Sequence, residues 1–489
     1  MVSEETGLPA EFDDFKRSLE RTLMETLPTK RWFGKKSSRI VSVSLRDWCT
    51  LSVEGAIYIY AFVDVETDEN TLESYFIPLV TANDLERPSR DPHSIRGKLG
   101  SWILVDLVEA PYRSVALLEW LAKGGTLKTE HGRISFNSLG LNPHDTLFFK
   151  ENISTGGVEQ SNVSIFFDKK YFMKQYRHLA YGVNPDLEVP EFLTHVAHFE
   201  GTPEPLGYAA YDSDRGEALL FAVFEYVENS GDGWTHFTRM LNQNMGQQSR
   251  DSLLEDCSQL GYLTAKMHLA LSRSMGDPRF DPEPASNRDV EEWRHTYEIT
   301  LKATMQSCKK ALHTDSTHKP LLEKLLKSTA RLEGLVADSN LHILLQLTKI
   351  RVHGDYHLGQ VLKTNKGYII VDFEGEPLKS LEERRKKGFA LKDVAGMLRS
   401  ISYAANYTLI SKRVSHNAVQ GWVNQARSRF IDSYWNAVKT LRIVPSEKHD
   451  LINLLRVFEA EKALYEVRYE LENRPEWVHI PLLALLQLR

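Results

Sequence analysis

The sequence predicts an α+β fold, because strand-like segments dominate its first half and helix-like segments dominate its second half. Typical strands are AIYIYAFVDV (56–65) and ALLFAVFEYV (218–227), which are rich in β-branched and aromatic residues. In DSLLEDCSQLGYLTAKMHLAL (251–271), apolar residues recur at steps of three and four, which is one face of a helix. Between the halves, the glycines of VENSGDGW (227–234) interrupt the pattern and indicate a boundary.

The composition is that of a globular protein. The 489 residues are 42% hydrophobic and 26% charged, with a formal net charge of −6, so nothing suggests a nucleic-acid partner. Three scattered cysteines indicate neither a disulfide framework nor a CxxC metal site. The acidic N-terminus lacks the apolar segment of a signal peptide, and no run approaches the ~18 apolar residues of a membrane span. We therefore expect a cytoplasmic protein without membrane association.

The order of the segments predicts three parts. Residues 1–90 combine one helix with alternating strands. Residues 91–227 bring further strands, and residues 228–489 are mostly helical.

The stretch VHGDYHLGQVL (352–362) places many polar groups between apolar ends. After it, VLKT and GYIIVDF are expected to form two strands joined by a turn at NKG, so Asp355, Gln360 and Asp372 can converge. This spacing matches a phosphoryl-transfer loop, in which Asp355 accepts the proton of the attacking hydroxyl. Gln360 and Asp372 then offer oxygen ligands to Mg²⁺ on the nucleotide phosphates.

Two other interpretations of the stretch remain. His353, Asp355 and His357 could bind zinc, although no cysteine lies nearby and the spacing of Gln360 and Asp372 would then be accidental. A purely structural network of caps and turns is the other. Within the kinase interpretation we expect His353 to brace the loop.

A kinase also needs groups that hold the nucleotide. In GGVEQSNVSIFFDKKYFMKQYRH (156–178), the side chains of Ser161, Asn162 and Ser164 offer donors, and Lys174 is a candidate phosphate contact. NPDLEVPEFL reads as a helix start with Asn184 as N-cap. Glu188 is the candidate partner of Lys174 and Glu191 its rival. The backbone from Glu225 to Val227 is the candidate adenine contact.

Eight motifs, spread over residues 31–477, resemble the bacterial maltokinases, which are ATP-dependent kinases that form maltose 1-phosphate. They are RWFGKK, EQSNVS, GVNPDLE, GDGW, VHGDYHLGQVL, DFEGEPLKSLEERR, LKDVAGMLRSISYAA and EKALYEVRYELENRPEW. The resemblance implies a bilobal, protein-kinase-like fold of the aminoglycoside-phosphotransferase type. Residues 1–90 would be an N-terminal cap subdomain, residues 91–227 an intermediate subdomain with the phosphate-binding hairpin and hinge, and residues 228–489 the helical lobe with the acceptor site.

The resemblance also implies roles for single residues. It makes Asp355 the base, Gln360 and Asp372 the metal ligands, Lys174 a phosphate contact and Asp393 a buried brace of the loop. ATP, Mg²⁺ and maltose would be the small molecules bound. The product would enter α-glucan synthesis, with trehalose synthase as a functional partner.

The acceptor site is expected on the helix that EKALYEVRYELENRPEW predicts. Lys462 and Glu466 share one helix face and Tyr465 the next, while Trp477 follows the end of the helix. A charged helix exposed to solvent is the alternative interpretation. We also assign His357 and Glu374 to the acceptor site. Two alternative functions remain: a kinase of the same fold that acts on another sugar such as glucosamine, and a non-catalytic regulator that binds nucleotide.

Overall fold

The computed structural model describes residues 12–30, 32–34, 38–53, 55–81, 95–99, 102–142, 152–156, 162–243, 247–313, 315–337, 341–411 and 416–488. The chain forms two compact units. Unit 1 contains residues 1–188 and 203–228, and unit 2 contains residues 189–202 and 229–489. The predicted division into three parts at residues 90 and 227 remains a prediction.

Unit 1 begins with a helix and an antiparallel sheet whose described strands follow the order β1-β2-β3-β5-β4. In helix α1 (Phe12–Thr26), Phe15, Leu19 and Leu23 recur every four residues and form its buried face. The strands are β1 (Ile40–Val53), β2 (Ala56–Thr67), β3 (Leu72–Thr81), β4 (Arg96–Leu99) and β5 (Trp102–Asp106).

A second antiparallel sheet in unit 1 has the described order β6-β7-β11-β12-β10-β9-β8. Its strands are β6 (Gly125–Lys128), β7 (Arg133–Ser138), β8 (Ile153–Thr155), β9 (Asn162–Phe167), β10 (Tyr171–Tyr176), β11 (Pro205–Ser213) and β12 (Gly216–Glu225). Helix α2 (Val115–Lys123) packs on this sheet through Leu117, Leu118 and Leu121. The central strands β11 and β12 therefore come from the later of the two chain segments that form unit 1.

Helix α3 (Pro185–Glu191) carries the chain out of unit 1 and into unit 2. The π-helical turn Phe192–Val196 follows it. Phe192 stacks on Phe280 with ring centroids 3.9 Å apart, and Leu193 and Phe199 belong to the same core as Phe280. This segment is thus part of the core of unit 2, although strands of unit 1 follow it in the sequence.

The rest of unit 2 is mostly helical, as the sequence predicts. Its helices are α4 (Gly233–Gln243), α5 (Gln247–Leu271), α6 (Asn287–Ala311), α7 (Lys319–Lys327), α8 (Thr329–Gly334), α9 (Leu381–Arg385), α10 (Leu391–Ser411), α11 (His416–Val438), α12 (Lys448–Asn473) and α13 (His479–Gln487). Within the described residues, none of the helices is both long and apolar enough to span a membrane.

The polar loop of unit 2 leads into a hairpin, as the sequence predicts. Its strands are β15 (Val361–Thr364) and β16 (Gly367–Ile370), and Thr364 pairs with Gly367 across the turn. Gly367 adopts φ +134°, a backbone conformation that L side chains rarely tolerate. Short strands β13 (Glu283–Pro284) and β14 (Thr348–Lys349) form another pair in this unit.

Candidate functional site

The polar loop of unit 2, residues 352–360, is hydrogen-bonded to a buried carboxylate. Asp393, on α10, accepts hydrogen bonds from the backbone N–H of His353 at 2.8 Å and of Gly354 at 3.0 Å. The ring of His268 lies 3.2 Å away, and its other nitrogen contacts the hydroxyl of Tyr434 at 2.9 Å. Burial raises the pKa of Asp393. The hydrogen bonds from His268 and from the backbone outweigh this effect, so the pKa lies below its ordinary value. Asp393 is thus buried and bonded to the loop, as a buried brace would be, and its role in positioning the loop stays a prediction.

The side chain of His353 connects the polar loop to the residues that follow the hairpin. Its Nε2 lies 3.1 Å from the carbonyl oxygen of Val371, next to the hairpin, and its ring packs against Phe373. The neighbouring Nδ1 of His357 accepts the N–H of Gly359 at 3.0 Å. One nitrogen of each ring is therefore bonded to a backbone group, which ties both side chains to the loop region.

Asp355 lies in the polar loop, two residues after His353. Its Oδ1 is 3.1 Å from Nζ of Lys462, on α12, and its Oδ2 is 3.8 Å from Nε2 of His357. Burial lowers the pKa of His357, so its imidazole is held neutral beside the carboxylate. Burial also lowers the pKa of Lys462, but Asp355, Glu376 and Glu466 outweigh this effect and raise it. Lys462 is therefore a cation that contacts the predicted base.

The two predicted metal ligands meet at the base of the hairpin. The amide nitrogen of Gln360 donates to Oδ2 of Asp372 at 2.7 Å, so its oxygen is the atom that would serve a cation. Carboxylate oxygens of Asp372 and Glu374 lie within 4.8 Å of each other. Asp372 adopts φ +66°, a left-handed conformation that is uncommon for a residue other than glycine and is often found at functional sites. This set of hard oxygen donors fits a divalent cation such as Mg²⁺, and Glu374, which we had assigned to the acceptor, is then a further candidate ligand.

The predicted acceptor residues of α12 are held by charged partners. Glu466 accepts from Arg399, on α10, with Nη2 and Oε2 2.5 Å apart. Tyr465 is 40% exposed, and Nζ of Lys462 lies 5.4 Å from its ring centroid. The structure therefore places Lys462, Tyr465 and Glu466 within about one turn of each other in the C-terminal half of α12, where Lys462 contacts Asp355.

Trp477 is not brought together with them. It packs against Tyr407, with ring centroids 4.6 Å apart, and the guanidinium of Arg474 lies 4.4 Å from its own ring centroid. The helix runs on from Lys462 to Asn473, about 17 Å of axial rise, before Trp477 follows. Its predicted role in acceptor binding remains a prediction, and the geometry gives it less support than the roles of the other three.

Beyond Asp372 lies a second group of charges that the sequence did not reveal. Glu376 contacts Nζ of Lys392 at 2.5 Å and Nζ of Lys379 at 3.1 Å. Burial raises the pKa of Glu376, but the two lysines outweigh it and lower the pKa to about 2. Nearby, Glu461 accepts from the indole N–H of Trp293 at 2.8 Å, and burial raises its pKa.

In unit 1, Lys174 has a buried ion pair. Its Nζ lies 2.9 Å from Oδ2 of Asp186, on α3, and the hydroxyl of Tyr176 donates to the same oxygen at 2.6 Å. Sequence reasoning named Glu188, which is also buried on α3, and missed Asp186. The predicted N-cap is confirmed, because the side chain of Asn184 accepts the N–H of Asp186 at 3.0 Å.

The remaining predicted nucleotide contacts also belong to unit 1. Asn162 and Ser164 are buried on β9, where Ser164 faces Lys174 of β10 in the strand register, whereas Ser161 lies outside the described residues. At the end of β12, the N–H of Glu225 donates to Glu204, and the next N–H, that of Tyr226, donates to Lys170. Those two donors are used within unit 1, and the adenine contact of the segment from Glu225 to Val227 remains a prediction.

Comparison with known proteins identifies the family. The sequence profile of the phosphotransferase enzyme family matches residues 156–402, which include β9, β10 and the whole polar loop with its hairpin. This chain belongs to the phosphotransferase enzyme family. The predicted α+β, kinase-like fold of the aminoglycoside-phosphotransferase type is therefore confirmed.

Relatives of this phosphotransferase include two glucosamine kinases. The one from Streptacidiphilus jiangxiensis is 26% identical over 337 residues, 68% of this chain and 72% of the relative. The one from Mycolicibacterium smegmatis is 26% identical over 332 residues, 67% of this chain and 77% of the relative. Among solved structures, a glucosamine kinase in complex with glucosamine, ADP and inorganic phosphate superposes with a TM-score of 0.64 at 22% identity, and the match covers 91% of this chain and 93% of that one.

These comparisons support a kinase-type phosphotransferase. They confirm the aminoglycoside-phosphotransferase-like family that the resemblance implied, and they do not show a maltokinase.

Proposed function

We propose that the protein is a kinase that transfers the γ-phosphoryl group of ATP to a hydroxyl of a sugar. The observation that carries this proposal is the placement of Asp355. Its carboxylate lies at the tip of a loop fixed by Asp393, and the same loop continues into the hairpin on which Gln360 contacts Asp372 at 2.7 Å. A base on the loop that leads into a pair of hard oxygen ligands is an arrangement suited to phosphoryl transfer.

In this proposal each residue has a defined task. Asp355 accepts the proton of the sugar hydroxyl as that hydroxyl attacks phosphorus. The cation of Lys462 holds the carboxylate in place at 3.1 Å. Gln360, Asp372 and Glu374 would hold Mg²⁺, which neutralises charge on the transferred phosphate when it is bound.

The nucleotide contacts of unit 1 belong to the same proposal. Lys174 is buried and fixed by Asp186, so its ammonium is oriented before any nucleotide binds. We assign it a phosphate contact, with Asn162 and Ser164 on the adjoining strand as further donors.

Glucosamine is the acceptor that the relatives favour. The two relatives described above are glucosamine kinases, and each match covers about two thirds of this chain. At 26% identity the comparison supports the acceptor class more strongly than the particular sugar.

Maltose is a second candidate, and a specific observation favours it. Three carboxylates near the proposed acceptor position already contact cations: Asp355 with Lys462, Glu376 with Lys392, and Glu466 with Arg399. The ammonium of an amino sugar would meet carboxylates that are already paired, which favours a neutral sugar as a class, and the resemblance names maltose within that class. Formation of maltose 1-phosphate, with trehalose synthase as functional partner, depends on this second candidate.

A panel of acceptors tests the proposal. ADP release is measured at fixed ATP and Mg²⁺ with glucosamine, N-acetylglucosamine, glucose and maltose, and the sugar phosphate is identified by mass spectrometry. N-Acetylglucosamine is the matched neutral control, because acetylation removes the ammonium from an otherwise identical ring. Turnover with glucosamine alone supports the first candidate, and turnover with maltose but not glucosamine supports the second. ADP release that no sugar stimulates contradicts the proposal and favours a nucleotide-binding regulator.

A further inference from the structure

The segment VENSGDGW, which the sequence marks as a boundary, is tied to the hairpin of the polar loop. The N–H of Ser230 donates to the carbonyl of Lys363 at 2.8 Å, and the N–H of Lys363 donates to the carbonyl of Gly231 at 2.9 Å. Both backbone groups of this β15 residue are therefore bonded to the segment. The next residue, Asp232, forms a β-bridge with Leu362.

The glycines of the segment allow this close approach. A Cβ at Gly233 would lie 2.8 Å from the carbonyl oxygen of Leu358 and 2.8 Å from a methyl carbon of Val361. Gly231 adopts φ +107°, which other residues rarely adopt. The side chain of Asp232 then accepts the N–H of Thr235 at 2.6 Å and starts α4.

A buried chain of charged groups fastens the same hairpin to α5. Nζ of Lys363 donates to Oδ1 of Asp256 at 2.6 Å and lies 4.3 Å from the ring centroid of Tyr368, on β16. Oδ2 of Asp256 is 2.8 Å from Nε2 of His236, on α4. Burial raises the pKa of Asp256, but the hydrogen bonds from His236 and Lys363 outweigh it and lower the pKa. The carboxylate of Asp256 is thus an anion that contacts Lys363 on β15 and His236 on α4.

We propose that these groups form a hairpin clamp, consisting of residues 230–236 together with Asp256, Lys363 and Tyr368, that sets the affinity of the site for its divalent cation. The inference rests on the proposed function, because it concerns the cation that Gln360 and Asp372 would hold. Lys363 follows Gln360 by three residues, and Tyr368 precedes Asp372 by four. A shift of the hairpin therefore moves both oxygen donors. Asp256 is then a positioning residue, which acts on the cation through the hairpin.

A purely structural role is the competing explanation. A buried ion pair is by itself weak evidence for stability, because desolvation offsets much of the attraction between the charges. Buried ion pairs are better known for selecting one conformation, which is the role proposed for the clamp. The two explanations differ in whether the affinity for the cation changes in protein that remains folded.

The test uses Asp256→Asn in the full chain, with Glu459→Gln as matched control. Glu459 is also buried and pairs with Arg427 at 2.5 and 2.9 Å, but it lies on α12 facing α11 and outside the clamp. Binding of ADP is titrated by calorimetry at a series of Mg²⁺ concentrations, and the same series is repeated for turnover. We expect Asp256→Asn to raise the Mg²⁺ concentration for half-maximal nucleotide binding about 10-fold, as loss of a residue that orients metal ligands does. The acceptor KM of Asp256→Asn should stay within twofold of that of the unsubstituted protein. For Glu459→Gln, both the Mg²⁺ midpoint and the acceptor KM should stay within twofold.

The outcomes separate the two proposals. If the unsubstituted protein shows no Mg²⁺-dependent nucleotide binding, the proposed function fails. If it does, and the Mg²⁺ midpoint of folded Asp256→Asn is unchanged, the clamp is overturned while the proposed function stands. If Asp256→Asn does not fold, Lys363→Met replaces it, because methionine keeps the packing on Tyr368 and removes the charge; an unchanged midpoint in that variant also overturns the clamp.

Discussion

Replacement of Asp393 by asparagine tests whether the buried carboxylate positions the polar loop. Asp393 accepts two backbone N–H groups, from His353 at 2.8 Å and Gly354 at 3.0 Å, and contacts His268 at 3.2 Å. An asparagine offers one oxygen acceptor and one NH₂ donor, so at least one of the three donors then faces another donor.

The magnitude follows from this loss of partners. A hydrogen bond to a charged group contributes about 1.5–3 kcal/mol, and leaving a buried donor unsatisfied costs about 1–3 kcal/mol. Breaking a buried, paired carboxylate typically costs about 3–5 kcal/mol in all, so we expect the free energy of unfolding to fall by about that amount. Displacement of the loop by 1 Å would lower kcat about 10²-fold.

Both quantities are measured on the same samples of Asp393→Asn. Urea unfolding followed by tryptophan fluorescence gives the free energy of unfolding, and ADP release at 25 °C gives kcat. Glu459→Gln is again the control, because it breaks a buried ion pair of the same unit away from the loop. A folded Asp393→Asn with kcat within threefold of the unsubstituted protein would refute a positioning role. An unchanged free energy of unfolding would refute the contribution of its hydrogen bonds.

The remaining predictions concern the base, the cation, the acceptor and pH. Asp355→Asn should lower kcat by about 10²–10⁴-fold, the usual share of general base catalysis, while the Kd for nucleotide measured by calorimetry changes little. Asp372→Asn should abolish Mg²⁺-dependent nucleotide binding in the same titration, because it removes an anionic ligand. Glu466→Gln should raise the acceptor KM about 5- to 150-fold, from a lost polar contact of about 1–3 kcal/mol, with the KM for ATP unchanged. Trp477→Ala should raise it less, because Trp477 lies beyond the end of α12 and packs against Tyr407. The pKa of Glu376 is lowered from 4.5 to about 2, so the stability of about 3 kcal/mol that it contributes should be complete above pH 4.5 and lost as pH falls towards 2.

Each of these predictions has a result that would contradict it. Full turnover by Asp355→Asn would exclude this residue as the base. Nucleotide binding by Asp372→Asn that still responds to Mg²⁺ would place the cation elsewhere. Equal acceptor KM values for Glu466→Gln and the unsubstituted protein would return α12 to a structural role. For the pH prediction, unfolding is followed in urea from pH 2 to pH 6, and a slope as steep in Glu376→Gln as in the unsubstituted protein would show that other groups cause it.

The sequence was informative wherever a partner lies close in the chain. The hairpin was predictable because its strands are separated by two residues with turn chemistry, and the Asn184 cap because it acts on Asp186 two residues later. The contact between Gln360 and Asp372 followed from the same local pattern, and the convergence of Asp355 with them stays a prediction.

Partners on other elements were not predictable in the same way. The lysine of β10 pairs with Asp186, which sequence reasoning did not name, because spacing along α3 does not show which carboxylates face the strand. The predicted pairing with Glu188 stays a prediction. Glu466 and Arg399 are 67 residues apart and meet only because α10 packs against α12. The charged partners of Lys363 were missed for the same reason, since Asp256 is 107 residues away.

Residues 189–202 belong to unit 2 but lie between the two chain segments of unit 1, and this order has a consequence for synthesis on the ribosome. These residues emerge before any helix of unit 2 from α4 onward exists, yet Phe192, Leu193 and Phe199 belong to the core that those helices complete. The second sheet of unit 1 is also incomplete at that moment, because its central strands β11 and β12 follow residues 189–202 in the chain. A nascent chain therefore presents apolar side chains without their final neighbours for much of its translation, which is a state that chaperones bind. A gene fragment that starts at residue 229 would omit these core residues, and its product should be less stable than a fragment to which residues 189–202 have been added.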